Sequence, residues 1–361
     1  MLLVWSILCA SPRVQLMTMG EAPPLYARFG HAALRVTDGA SDLVYNFGTT
    51  DFSRPDLFRA FLRGHVRFWV AVSSYQSTLS AYRAEDRTIW LQDLHLSAAQ
   101  HEALAERLRW QALPEHREYA YDHFTDNCTT RVRDLIDEAA AGRVHAALAL
   151  PYPRTYRELA LAGFEGQMGM QLGTDFLLGR AVDRSISRWD AAFLPRVLRE
   201  SLPWVRAEDG APLAAAPEEI YRRRGRPVGT GEPATGGRLL VLSVAALLLL
   251  LSLLALRSRR LALAVRVGWG LGGGLLGCGL SALAAYTTLP LLRQNPTLLL
   301  LVPVDLVLMG LGSRLSRSYG VLRLLTAWVV FAIWRPPISV FALAVAGVLA
   351  ATSYDLRARL P

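Results

Sequence analysis

Cys128 sits in the stretch TDNCTT, between the aromatic run YAYDHF and the amphipathic segment RVRDLIDEAA. The chain has three cysteines, Cys9, Cys128 and Cys278. Cys9 lies in an apolar N-terminal leader and Cys278 in an apolar run long enough for a membrane helix, so Cys128 has no evident disulfide partner. A lone cysteine is commonly an inert buried side chain. Cys128, however, falls at a helix start, where Asn127 or Thr129 can cap. Free N–H groups and the helix dipole at such a position favour a thiolate and can also hold an oxyanion. A cysteine nucleophile then needs a base, normally histidine, and a third group to orient it.

Seven histidines are available. His101, His116 and His145 fall on or beside polar helical segments. His65 and His95 lie near strands among charged or amphipathic neighbours. His123 is too close in sequence to Cys128 for a strand-to-helix pairing. His31 follows Phe29-Gly30 and opens an apolar strand, which makes it the candidate base. No metal-ligand spacing such as HExxH is present, and the chemistry calls for no metal or cofactor.

The elements that must position this pair follow from periodicity. VQLMTM, HAALRV, LVYNFGTT, VRFWVAVSS and RTIWLQDLHL read as strands, the first ones bounded by Gly20, Pro23, Pro24 and Asp38-Gly39. RPDLFRAFLRG, SAAQHEALAERLRWQAL (capped by Ser97), NCTTRVRDLIDEAA and WDAAFLPRVLRESL carry helical spacing. EYAYDHF reads as irregular. The pattern is an α+β domain.

Several of these segments resemble one family. LYARFGHAALRV, VYNFGTTDF, FLRGHVRFWV and YDHFTDNCTTRVRDLID, and the later GTDFLLGRAVDRSISRWDAAFLP, are similar to the Lnb N-terminal periplasmic domain family, over roughly residues 13–200. The resemblance implies a permuted papain-like fold, in which the histidine strand precedes the cysteine helix. It implies cysteine-dependent acyl transfer on bacterial lipoproteins at the outer face of the inner membrane, with Cys128 as nucleophile and His31 as base. The third group is open: Asn46 in VYNFG is in the right region, and is equally readable as a turn residue. Asp126 and Asn127 can instead shape the turn before the helix. The same pair would serve a thiol hydrolase of lipid esters or cell-wall peptides. A membrane-anchored lipid- or partner-binding domain without activity is the remaining alternative.

Composition bounds the rest. The chain is 52% hydrophobic over 361 residues with a net charge of +9, and all of its basic residues are arginine. These arginines are scattered or flank apolar runs, which argues for membrane topology signals and against nucleic acid. The reading is an α+β permuted papain-like extracytoplasmic domain followed by an α-helical transmembrane region of four to five spans. Residues 1–12 are a signal-peptide remnant, 13–205 the papain-like domain, 206–237 a Gly/Pro/Arg-rich linker, 238–353 the membrane region and 354–361 a cytoplasmic tail. Apolar runs at 239–256, 267–289, 297–313, 320–334 and 338–353 are the candidate spans. Arg257, Arg259 and Arg260 after the first run place the N-terminal domain outside. Asp305 inside the third run is a candidate functional carboxylate, or the partner of an arginine. Membrane lipids and lipoproteins are the expected substrates.

Overall fold

The computed structural model describes residues 11–39, 41–51, 53–229, 231–309 and 313–357. Most of the expected leader, Cys9 included, and the end of the expected tail lie outside these residues. The described chain divides into two compact units. The first takes residues 11–61, 65–156 and 185–229, and the second residues 62–64, 157–184 and 231–357. The boundary therefore differs from a simple cut at 205, because residues 157–184 group with the apolar helices.

The first unit is built on a seven-stranded antiparallel sheet. Its strands are β1 (Arg13–Met19), β2 (His31–Thr37), β3 (Asp42–Thr49), β4 (Arg67–Ser74), β5 (Ile89–Asp93), β6 (Glu118–Ala120) and β7 (Glu218–Tyr221). Their spatial order is β6-β4-β3-β2-β1-β5-β7. Alternation along the strands separates two faces. Met17, Met19, Ala33, Val44, Ile89 and Leu91 cluster with Tyr75 and Leu79 of the helix Tyr75–Ala84. Leu16 and Leu34, both fully buried, alternate to the other face. The helix Cys128–Ala139 packs against β2 and β3 and buries Val132, Leu135 and Ile136.

Two expectations change here. EYAYDHF is not wholly irregular, since Glu118–Ala120 extends the sheet beside β4, with Tyr119 paired to Phe68. The segment 206–237 is not a free linker throughout. Glu218–Tyr221 pairs with β5, and the following arginines are gathered by Asp86. The Asp86 carboxylate accepts from Tyr221 Oη, Arg224 N and Gly225 N, each at 2.8 Å.

The second unit holds four long helices, Gly236–Ala255, Arg259–Tyr286, Ser313–Trp334 and Ile338–Arg357. The first two are long and apolar enough to cross a membrane. The expected third span is not a continuous helix. It breaks into Thr297–Leu300 and a 3-10 segment, Pro303–Met309, too short to cross a hydrocarbon core. Pro303 interrupts it, and the small residues of the second helix let its backbone approach closely. A Cβ at Gly277 would lie 2.5 Å from the Val302 carbonyl carbon.

Asp305 in this segment is fully buried and paired with Arg323 at 2.9 Å, and it accepts from Tyr319 Oη at 2.7 Å. Arg323 also donates to the carbonyls of Leu299 and Leu300. That network satisfies the groups which the helix break exposes. Residues 157–184 contribute a second network. Buried Arg157 holds Asp183 at 2.7 Å and lies beside Asp175, which in turn takes Arg238 at 2.9 Å.

Candidate active site

Asn127 sets the position of the candidate nucleophile. It is the N-cap, with extended backbone (φ −111°, ψ −176°), and its Oδ1 accepts from Thr129 N at 2.8 Å and Thr130 N at 2.9 Å. Thr130 Oγ1 accepts in return from Asn127 N at 2.7 Å, which closes a capping box. Asn127 Nδ2 is tied to the carbonyls of His123 and Phe193. Asp126 pairs with Arg131 through both carboxylate oxygens, at 2.5 and 2.8 Å. Asp126 and Asn127 thus build the turn, and Cys128 occupies the first helical position with its own amide outside the cap.

His31 is the first residue of β2, and the backbone amide of the next residue, Ala32, acts on the Cys128 thiol in the direction that favours its charged form. The sulfur therefore lies against the residue that follows the candidate base. Thr129 Oγ1 is 3.7 Å from it. Gly48 of β3 makes room: it has φ +78°, and a Cβ there would lie 3.1 Å from Cys128 Cβ. Cys128 as a residue is half-buried.

Asn46 lies on β3, and its Oδ1 is 3.4 Å from His31 Nε2. The surrounding hydrogen bonds orient it. Thr78 Oγ1 donates to Ser74 O, which leaves Ser73 Oγ to donate to Thr78 Oγ1 at 2.7 Å. Ser73 Oγ then accepts from Asn46 Nδ2 at 3.4 Å, and this turns Asn46 Oδ1 toward the imidazole. An amide oxygen can only accept, so the arrangement puts the proton on Nε2 and leaves the Nδ1 lone pair open. The structure thus brings His31, Asn46 and Cys128 to one end of β2 and β3.

Three further features were not visible in the sequence. The Tyr82 ring stacks on His31 with centroids 6.0 Å apart. Buried Arg87 lies over the Tyr82 ring, 4.8 Å from its centroid, and donates to Gly20 O at 2.9 Å. The Ser73–Thr78 relay is the third. In sequence Ser73 and Ser74 read only as the end of the strand VRFWVAVSS, whereas Ser74 caps the helix Tyr75–Ala84.

Electrostatics corrects one expectation. Burial pushes the Cys128 thiol up, and this outweighs the Ala32 amide, the Thr129 hydroxyl and the Arg87 charge that act the other way. Burial, and then Arg87, pull His31 down to about 3, against the opposing Asn46 hydrogen bond. Both shifts act against a preformed thiolate and imidazolium, and favour a neutral thiol and a neutral imidazole at rest.

The other histidines have different places. His101 Nδ1 accepts from Val14 N, His95 pairs with Asp209, and His116 stacks on Trp110. His145 packs edge-on against Trp189, and His123 is buried among Phe29, Phe124 and Phe193. Among the described residues, no three His, Cys, Asp or Glu side chains converge as a metal site would require.

Residues 9–162 match the family model described as the Lnb N-terminal periplasmic domain. No curated protein and no solved structure matches the chain.

Proposed function

We propose, from the match of residues 9–162 to the Lnb N-terminal periplasmic domain family, that the chain is a thiol-dependent acyltransferase acting on bacterial lipoproteins. The observation that carries this reading is the meeting of three residues. Cys128 stands at a helix start against the Ala32 amide, and His31 is oriented by Asn46 with its Nδ1 open. The site lies in a chain with two helices long and apolar enough to cross a membrane. We place the protein in the inner membrane as a multi-pass protein, with the first unit in the periplasm. Arg257, Arg259 and Arg260 follow the first apolar helix, as the positive-inside rule requires of that orientation.

The reaction runs in two stages. The neutral imidazole of His31 takes the Cys128 proton as the sulfur attacks a lipid ester carbonyl. The carbonyl electron pair moves onto oxygen, where the Cys128 amide is the backbone donor for the oxyanion. Collapse expels the alcohol, which leaves with the proton from His31 and a thioester on Cys128. The α-amine of a lipidated N-terminal cysteine then attacks the thioester, and His31 carries the proton back to the sulfur. Membrane attachment raises the local concentration of lipid and lipoprotein substrates, which favours the amine as acceptor.

The half-buried state of Cys128 as a residue is the one observation that favours the hydrolase alternative, in which water attacks the thioester. The test is to load purified protein with a phospholipid and then add a diacylglyceryl-cysteine peptide. Acyl transfer to the peptide amine is the expected result. Release of free fatty acid alone, at a rate indifferent to the peptide, would make the protein a hydrolase.

A further inference from the structure

A tyrosine hydroxyl near Cys128 is buried, and its proton has no acceptor among the described residues. Tyr119 is 7% exposed, and the Gly48 backbone amide acts on its Oη from the acceptor side, which leaves the proton free to donate. Leaving a hydroxyl in this state is costly, so its position calls for an explanation. The position is specific. The space that a side chain at Gly48 would fill is bounded by Cys128 Cβ at 3.1 Å and Tyr119 Oη at 3.8 Å. Glycine at 48 keeps this space open between the nucleophile and the phenol.

The ring itself is held firmly. Its strand pairs with β4, and the Arg131 guanidinium lies 4.2 Å from its centroid. Arg131 is in turn fixed by both oxygens of Asp126. The residues just before and after Cys128 in TDNCTTR therefore also clamp the tyrosine. Burial, and then the charge at Cys128, raise the Tyr119 hydroxyl far above its ordinary range, so it stays protonated and can only be called on as a neutral donor.

We propose that Tyr119 is an oxyanion donor for the Cys128 reaction, its hydroxyl hydrogen-bonding the substrate oxygen that becomes negative when the sulfur attacks. This rests on the acyltransferase reading. The S–C bond forms as the carbonyl electron pair moves to oxygen. That oxygen accepts from Tyr119 Oη alongside the Cys128 amide, and both bonds weaken when the ester alcohol leaves. A hydroxyl proton without an acceptor in the resting enzyme then finds one in the transition state, where such a bond accelerates the reaction.

The variant Tyr119→Phe removes only the hydroxyl. The test uses the full chain in detergent micelles containing phosphatidylethanolamine, with intact-mass measurement of acylated Cys128. Iodoacetamide alkylation of Cys128 and the melting temperature are measured alongside. The expected result is Cys128 acylation slowed about 100-fold, with alkylation unchanged and the melting temperature equal to or above wild type. Acylation at the wild-type rate would overturn the proposal. A parallel slowing of alkylation would also overturn it, because the hydroxyl would then act on the thiol. If the wild type itself is not acylated at Cys128, the acyltransferase reading falls first, and this proposal falls with it.

Discussion

His31 Nε2 stands 3.4 Å from Asn46 Oδ1, and the Asn46 amide is itself oriented by Ser73. The contact holds the imidazole in the tautomer whose Nδ1 can act as base. Asn46→Ala is expected to lower turnover about fivefold to tenfold, the worth of one hydrogen bond of about 1 kcal/mol. His31→Ala should cost more, about 10²–10⁴-fold. Steady-state rates on one lipid donor check both. Equal losses in the two variants would mean that Asn46 is more than an orienting group.

The neutral resting pair fixes a pH dependence. His31 is pulled down to about 3, so it is an unprotonated base throughout the neutral range. Cys128 is raised above its ordinary thiol value of 9.0. Iodoacetamide labelling of Cys128 should therefore be slow at neutral pH and still rising above pH 9. A labelling rate already flat at neutral pH would indicate a thiolate–imidazolium pair instead.

Burial holds His123 down to about 4, against 6.5 for a free imidazole. As pH falls below 6.5 the unfolded chain takes the proton first, so stability is lost between 6.5 and about 4 and is fully present above that window. The loss amounts to about 3 kcal/mol by pH 4. His123 Nε2 has no hydrogen-bond partner among the described residues, and its ring packs among phenylalanines. His123→Phe should keep its melting temperature at pH 7 and lose part of the acid sensitivity. Melting curves across the window check this, and an unchanged acid slope would contradict it.

Asp305 is readable from its geometry as a structural partner of Arg323. Asp305→Ala leaves a buried guanidinium unpaired and should destabilise the protein by about 3–5 kcal/mol. Replacing both residues with apolar ones, as in Asp305→Leu with Arg323→Met, should recover much of that loss. Detergent-extracted yield and thermal stability report it. Loss of activity in a well-folded double variant would return Asp305 to the candidate functional groups.

What the sequence made legible has a physical pattern. Strands β1–β5 could be read because each is an apolar or aromatic run, the first ones bounded by glycine, proline or aspartate, and the cysteine helix because Asn127 is a recognisable cap. Glu118–Ala120 was missed because three residues carry no period. Glu218–Tyr221 was missed because its pairing to β5 and its anchor at Asp86 lie far away in sequence. The expected third span failed because apolarity does not register Pro303 or the close approach to Gly277. Within the site, His31, Asn46 and Cys128 could be named from residue type and family resemblance. Tyr82, Arg87 and the Ser73–Thr78 relay could not, since only the folded register brings them to the imidazole.

The most direct measurement is mass spectrometry of lipoprotein N-termini from cells carrying the wild-type gene, a deletion, or the deletion complemented with Cys128→Ala. The account predicts N-acylated termini with the wild type, and free α-amines in both the deletion and the Cys128→Ala strain. N-termini acylated alike in all three would contradict it.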